Sequence, residues 1–174
     1  MRRQFLWLAA ANLALLAAPA LAHDTGVSDA QIAHIAYTAG QIDVEAARQA
    51  LARSHNPEVR AFAETMLRDH QAVNVQALAL VQRLHVTPEA NATSAALTDQ
   101  ATAARQRLDG LQGATFDRAY AENEAAYHRT VNGALSATLI PAAHNPELKA
   151  LLEAGLALFG AHQAHAEQLA RQLQ

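Results

Sequence analysis

Seven consecutive residues recur in this chain with conservative changes. His55-Asn56-Pro57-Glu58-Val59-Arg60-Ala61 is matched by His144-Asn145-Pro146-Glu147-Leu148-Lys149-Ala150, at an offset of 89 residues. Each copy reads as the start of a helix. Asn is a favoured N-cap, and Pro suits the first helical position because its missing N–H would have no partner there. Glu complements the positive end of the helix dipole. Each copy follows a long segment with helical apolar spacing, so each marks the turn of an antiparallel helical hairpin. Capping preferences alone can produce Asn-Pro-Glu twice. The wider agreement in the same setting favours two related hairpins.

Four long helices are expected around these turns. The first runs from Ser28 or Asp29 to Arg53, with Ile32, Ile35, Ala39, Ile42 and Ala46 on one side. The second runs from Pro57 to about Leu84 along Val59, Phe62, Met66, His70, Val73, Ala77 and Val81. The third runs from Thr115 to about Leu139 and is ended by Pro141. The fourth starts at Pro146 and passes through Leu148, Leu152, Phe159, His162, Ala166 and Leu169. His85 to Asn91 reads as a loop, and Ala95 to Leu111 as a weaker helix. No alternating strand pattern is sustained anywhere, and an alanine content of about a quarter favours helix. The expected fold is all-α: a ferritin-like four-helix bundle of two hairpins, joined by a crossover that contains the short extra helix. An up-down bundle with a fifth helix is the alternative.

Residues 1–22 read as a secretory signal peptide. Arg2 and Arg3 precede an apolar run from Phe5 to Ala18, and Ala20-Leu21-Ala22 offers a small-x-small cleavage site. The mature domain would then span residues 23–174, with His23 as its first residue, in the bacterial periplasm. The leader run falls short of the roughly 20 apolar residues a membrane span needs, and no later segment approaches that length. No span is therefore expected in the mature chain. No cysteine exists to carry a lipid, a disulfide or a thiolate metal site. The net charge of −3 gives no basis for binding nucleic acid through bulk charge.

Chemistry is suggested by the midpoints of the helices. Glu45, His70, His128 and His162 each lie near the middle of a different long helix, on or beside its apolar stripe. At about 1.5 Å rise per residue, comparable helices bring their midpoints to one level. Bundles build metal sites from inward side chains of facing helices, and three imidazoles with one carboxylate suit zinc, copper or iron. Asp69, Tyr120, Glu124 and His165 are candidates for the surrounding shell. Asp69 points about 100° away from His70 and is expected to bond a neighbouring group, while Glu124 can reach His128 four residues on. His165 is expected to be exposed, and Asp117 to cap its helix. No Glu-x-x-His occurs in any helix, so a di-iron centre is not expected.

Phe62-Ala63-x-x-Met66-x-x-Asp69-His70, Phe116-Asp117-x-x-Tyr120 with His128, and Asn145-Pro146-Glu147-Leu148-Lys149-Ala150 with His162 resemble a known family. It is a ferritin-like domain-of-unknown-function family of exported bacterial proteins, often labelled outer-membrane or periplasmic. The resemblance covers about Ser28 to Gln174. It implies a ferritin-like bundle, an exported protein, and a pattern that falls on Glu45, Asp69, His70, Phe116, Asp117, Tyr120, His128 and His162. The family usually has an acidic residue immediately before the histidine of the third long helix, where this chain has Tyr127.

Two function classes follow. One is a protein binding a single transition-metal ion through Glu45, His70, His128 and His162. The other is a non-catalytic envelope, stress or partner-binding protein whose buried histidines form a structural hydrogen-bond network. No activated nucleophile or acid–base pair can be named, so an enzyme is the least supported class, and no protein partner is indicated.

Overall fold

The computed structural model describes residues 26–174; the expected leader and His23 lie outside the described residues. The fold is all-helical, with no strand among the described residues. Helix α1 spans Asp29–Arg53, α2 Pro57–Arg83, α3 Ala92–Asp109 and α4 Gly113–Ala134. A π-helical turn, Leu135–Leu139, joins α4 to the single turn α5, Ile140–Ala142, and α6 spans Pro146–Gln172.

Local chemistry accounts for the boundaries. Ser28 and Gln31 form a capping box at α1, and the Asn56 and Asn145 side chains each accept two backbone N–H bonds at α2 and α6. Helix α2 stops where His85 turns to a positive φ of 53°, which lets Val86 N–H bond back to the Val81 carbonyl at 2.9 Å. Helix α3 begins three residues before the expected Ala95, because Asn91 and Ser94 cap one another's backbone. Pro141 does not end the helix ahead of it. The chain widens into the π turn, where Ile140 N–H reaches the Leu135 carbonyl, and the helical path continues to Ala142.

The apolar core is in two parts. One end holds Ala47, Phe62, Met66, Phe116, Tyr120 and Leu169; the other holds Ile32, Leu80, Leu135, Leu139, Leu152 and Phe159. Since α1 and α6 run from the second cluster to the first while α2 and α4 run the other way, α1/α2 and α4/α6 are antiparallel pairs. Helix α3 runs back along α1 between them. Each pair grips the connection of the other. Asp29 accepts the His144 and Asn145 N–H groups at 2.9 and 2.8 Å, and buried Asp117 accepts the Ser54 hydroxyl at 2.5 Å. Asp117 thus ties two helices together instead of capping α4. Between the two apolar clusters lies a layer of polar side chains. No helix among the described residues is long and apolar enough to cross a membrane.

Candidate metal centre

The polar layer is set by helical spacing. On α1, Asp43 sits four residues after buried Ala39 and four before buried Ala47. On α2, His70 follows Met66 and precedes Asn74 by the same interval, and on α4 the buried series is Tyr120, Glu124, His128. On α6, His162 lies between Phe159 and Ala166. Residues three and four apart share a helix face, so these side chains must enter the core with their apolar neighbours.

The three histidines meet there. Ring centroids are 5.6 Å apart for His70–His128, 5.3 Å for His70–His162 and 5.6 Å for His128–His162. One nitrogen from each lies within 4.8 Å of the other two, and Asp43, Glu124 and His128 form a second group at the same spacing. Asp43 Oδ2 is 3.6 Å from His70 Nε2, and Asp43 Oδ1 is 3.9 Å from His128 Nε2.

Hydrogen bonds fix which nitrogens carry lone pairs. His128 Nδ1 lies 3.0 Å from the Glu124 carbonyl, which can only accept, so Nδ1 holds the proton and Nε2 the lone pair. His162 Nε2 lies 3.0 Å from the Asp69 carboxylate, which leaves the lone pair on Nδ1. His128 Nε2, His162 Nδ1 and both nitrogens of His70 are buried without a hydrogen-bond partner, as are Asp43 Oδ1, Glu124 Oε2 and the Tyr120 hydroxyl. Each buried polar atom left unbonded costs roughly 1–3 kcal/mol. The His70 ring stacks on Phe159 at 4.7 Å, which orients it without using either nitrogen.

Electrostatics sharpen this. Burial holds His70 at a pKa of about 3 and His128 at about 4, and lowers His162 less, since Asp69 offsets part of the effect. All three imidazoles are therefore neutral at pH 7, the form that binds metal. Burial and the neighbouring Glu124 charge push Asp43 well above the carboxylate range, and burial pushes Glu124 to about 7. Two facing carboxyls with no cation beside them retain a proton.

Of the four residues expected from sequence, His70, His128 and His162 converge and Glu45 does not. The Glu45 side chain is 49% exposed and ion-pairs with Arg105 of α3. Two residues advance a helix by about 200°, so Glu45 faces away from the layer that Asp43 enters. Asp69 bonds His162 as expected of a neighbouring group and is itself held by Arg68 at 2.8 Å. Glu124 and Tyr120 line the centre, whereas His165 is exposed and sets its ring edge-on to Phe62 at 5.0 Å. Tyr127 donates to the Ala39 carbonyl at 3.1 Å, joining α4 to α1. Asp43 is the residue that sequence reasoning missed, although an aspartate spaced four from two buried alanines was its signal.

A family model described as "Domain of unknown function (DUF4142)" matches residues 13–169. No curated protein and no solved structure matches the chain.

Proposed function

The chain belongs to the DUF4142 family, a domain of unknown function, and we propose that this member is an exported protein binding one transition-metal ion. The ion would sit among His70, His128 and His162, with Asp43, 3.6 Å from His70 and 3.9 Å from His128, as the carboxylate ligand. The observation that carries this reading is the convergence of three buried imidazoles, each with a ring nitrogen that has no hydrogen-bond partner. A purely structural network would have to bond those nitrogens to one another or to the carboxyls, yet His70 is bonded at neither.

The donor set of three imidazoles and a carboxylate suits zinc, copper or iron better than magnesium or calcium. It supports a single ion, not a di-iron centre. His128 belongs to both ligand groups, but its Nδ1 is committed to the Glu124 carbonyl, so it offers one lone pair only. The two antiparallel pairs with α3 crossing between them support a ferritin-like four-helix bundle. The basic, apolar and small-residue order of residues 1–22 supports a cleaved leader and a periplasmic location.

The test is elemental analysis of untagged protein, paired with calorimetric titration of zinc, copper and cobalt into metal-stripped protein. One ion per chain, lost in His70→Ala, supports the reading. Equal uptake by the wild type and His70→Ala, or none by either, overturns it.

A further inference from the structure

An apolar cavity of about 590 Å³, lined by α1, α2, α3, α4, the π turn and α6, is separated from the metal centre by a wall at Phe159. Phe159, whose ring stacks on His70, stands at this wall with Gly155, and Gly40 and Asn74 face it from α1 and α2. No lining residue carries a charge. The volume falls within the range of about 300–1,000 Å³ typical of small-molecule sites. A dry cavity of about 150 Å³ holds one benzene, so this one has room for roughly 20 non-hydrogen atoms.

Among the buried side chains of the lining, one is polar. Asn74 is 6% exposed, and its Nδ2 has no hydrogen-bond partner. Gly40 is what admits it: a Cβ at residue 40 would stand 2.2 Å from Asn74 Oδ1. A buried amide donor is costly until something accepts from it, and the other buried residues of the wall are apolar. Access lies between α3 and α4, where Ala96, Gln100, Thr130, Ala134 and Thr138 line the cavity and are exposed.

We infer that this cavity binds a neutral apolar small molecule bearing a carbonyl oxygen, which accepts from Asn74 Nδ2 once that buried amide turns into the cavity, one helical turn from His70. The guest is neutral because the lining offers no counter-charge, and an unpaired charge buried there would be prohibitively costly. The inference stands on the cavity and Asn74, not on the metal.

Two neutral fluorophores test it on the purified full chain, both metal-free and metal-loaded. N-phenylnaphthylamine has no carbonyl; prodan has one. Both should bind, with a blue-shifted emission that indicates an apolar environment. Ala134→Trp, which fills the rim from an exposed position, should abolish binding of both. Asn74→Ala should weaken prodan about 5–10-fold while leaving N-phenylnaphthylamine unchanged. Failure of either dye to bind the wild type overturns the proposal, as does binding that survives Ala134→Trp. Equal weakening of both dyes in Asn74→Ala overturns the carbonyl assignment. Binding in protein that takes up no metal would sink the metal reading alone and leave this one standing.

Discussion

His162 donates its Nε2–H to the Asp69 carboxylate at 3.0 Å, and this bond leaves the imidazole's lone pair on Nδ1, a buried nitrogen with no hydrogen-bond partner in the ring that meets His70 and His128. Asp69 stays ionised because Arg68 bonds it and lowers its pKa. Outer carboxylates of this kind fix tautomer and ring orientation, and their loss costs about 10–100-fold in metal affinity. Asp69→Asn is therefore expected to weaken zinc binding within that range while leaving the circular dichroism unchanged. Competition with a chromophoric chelator measures it, and unaltered affinity refutes the orienting role.

Asp43 and Glu45 make opposite predictions. Asp43→Asn should weaken metal binding by at least about tenfold, because it replaces the proposed carboxylate ligand with a neutral amide. Glu45→Ala should leave binding intact and change stability by no more than about 1 kcal/mol, as befits an exposed ion pair. Isothermal titration of the two variants side by side decides which residue belongs to the centre.

The pH dependence follows from the carboxyls. Glu124, raised to about 7 by burial, stabilises the metal-free fold fully below its ordinary 4.5, and that contribution is lost as pH rises through 7. His70 and His128 act in the opposite sense. Their contribution is present above 6.5 and is lost as pH falls towards their values of about 3 and 4. Near neutrality a metal must displace a carboxyl proton, not an imidazolium proton. Affinity should therefore rise up to about tenfold per pH unit between about pH 5.5 and 7, and flatten above. The metal-induced rise in Tm should grow with pH in step. Titrations at three pH values check both slopes, and a flat profile refutes the proton displacement.

Gly40→Ala should destabilise the fold by about 1–2 kcal/mol. Alanine is the better helix former by about 1 kcal/mol, but the new Cβ would meet the buried Asn74 amide at 2.2 Å. Chemical denaturation measures the balance. A more stable variant would mean that Asn74 moves aside freely.

The proposed cleavage after Ala22 predicts a mature chain beginning at His23. Intact-mass analysis of protein recovered from its native envelope reads this directly, and a retained Met1 refutes it.

What the sequence made legible was local. Asn56, Pro57, Asn145 and Pro146 set two helix starts by themselves, and the apolar spacing placed His70 and His162 on inner faces and His128 at the edge of one. Helix α1 was harder because it is covered on two sides. Ile42 faces a hollow lined by Leu97, Ala101, Ala104 and Leu108 of α3, so the apolar surface of α1 is broad and its centre is obscured. Taking Ile42 as inward rotates the helix, and Glu45 is then chosen over Asp43. The start of α3 and the passage through Pro141 were hidden for other reasons: one depends on a side-chain exchange between Asn91 and Ser94, the other on a change of helical pitch.

The bond from Asp29 to the turn before α6 bears on the order in which the molecule is completed. Its partners are separated by 115 and 116 residues, whereas the chain is made from its N-terminus. The first turn of α1 must wait for nearly the whole polypeptide before its acidic side chain finds the amides that hold it. Closing so long a loop is slow compared with local helix formation, so the lock on the first helix turns late. A nascent chain stopped before residue 144 would contain every residue of α1 and still lack one of the bonds that fasten its beginning.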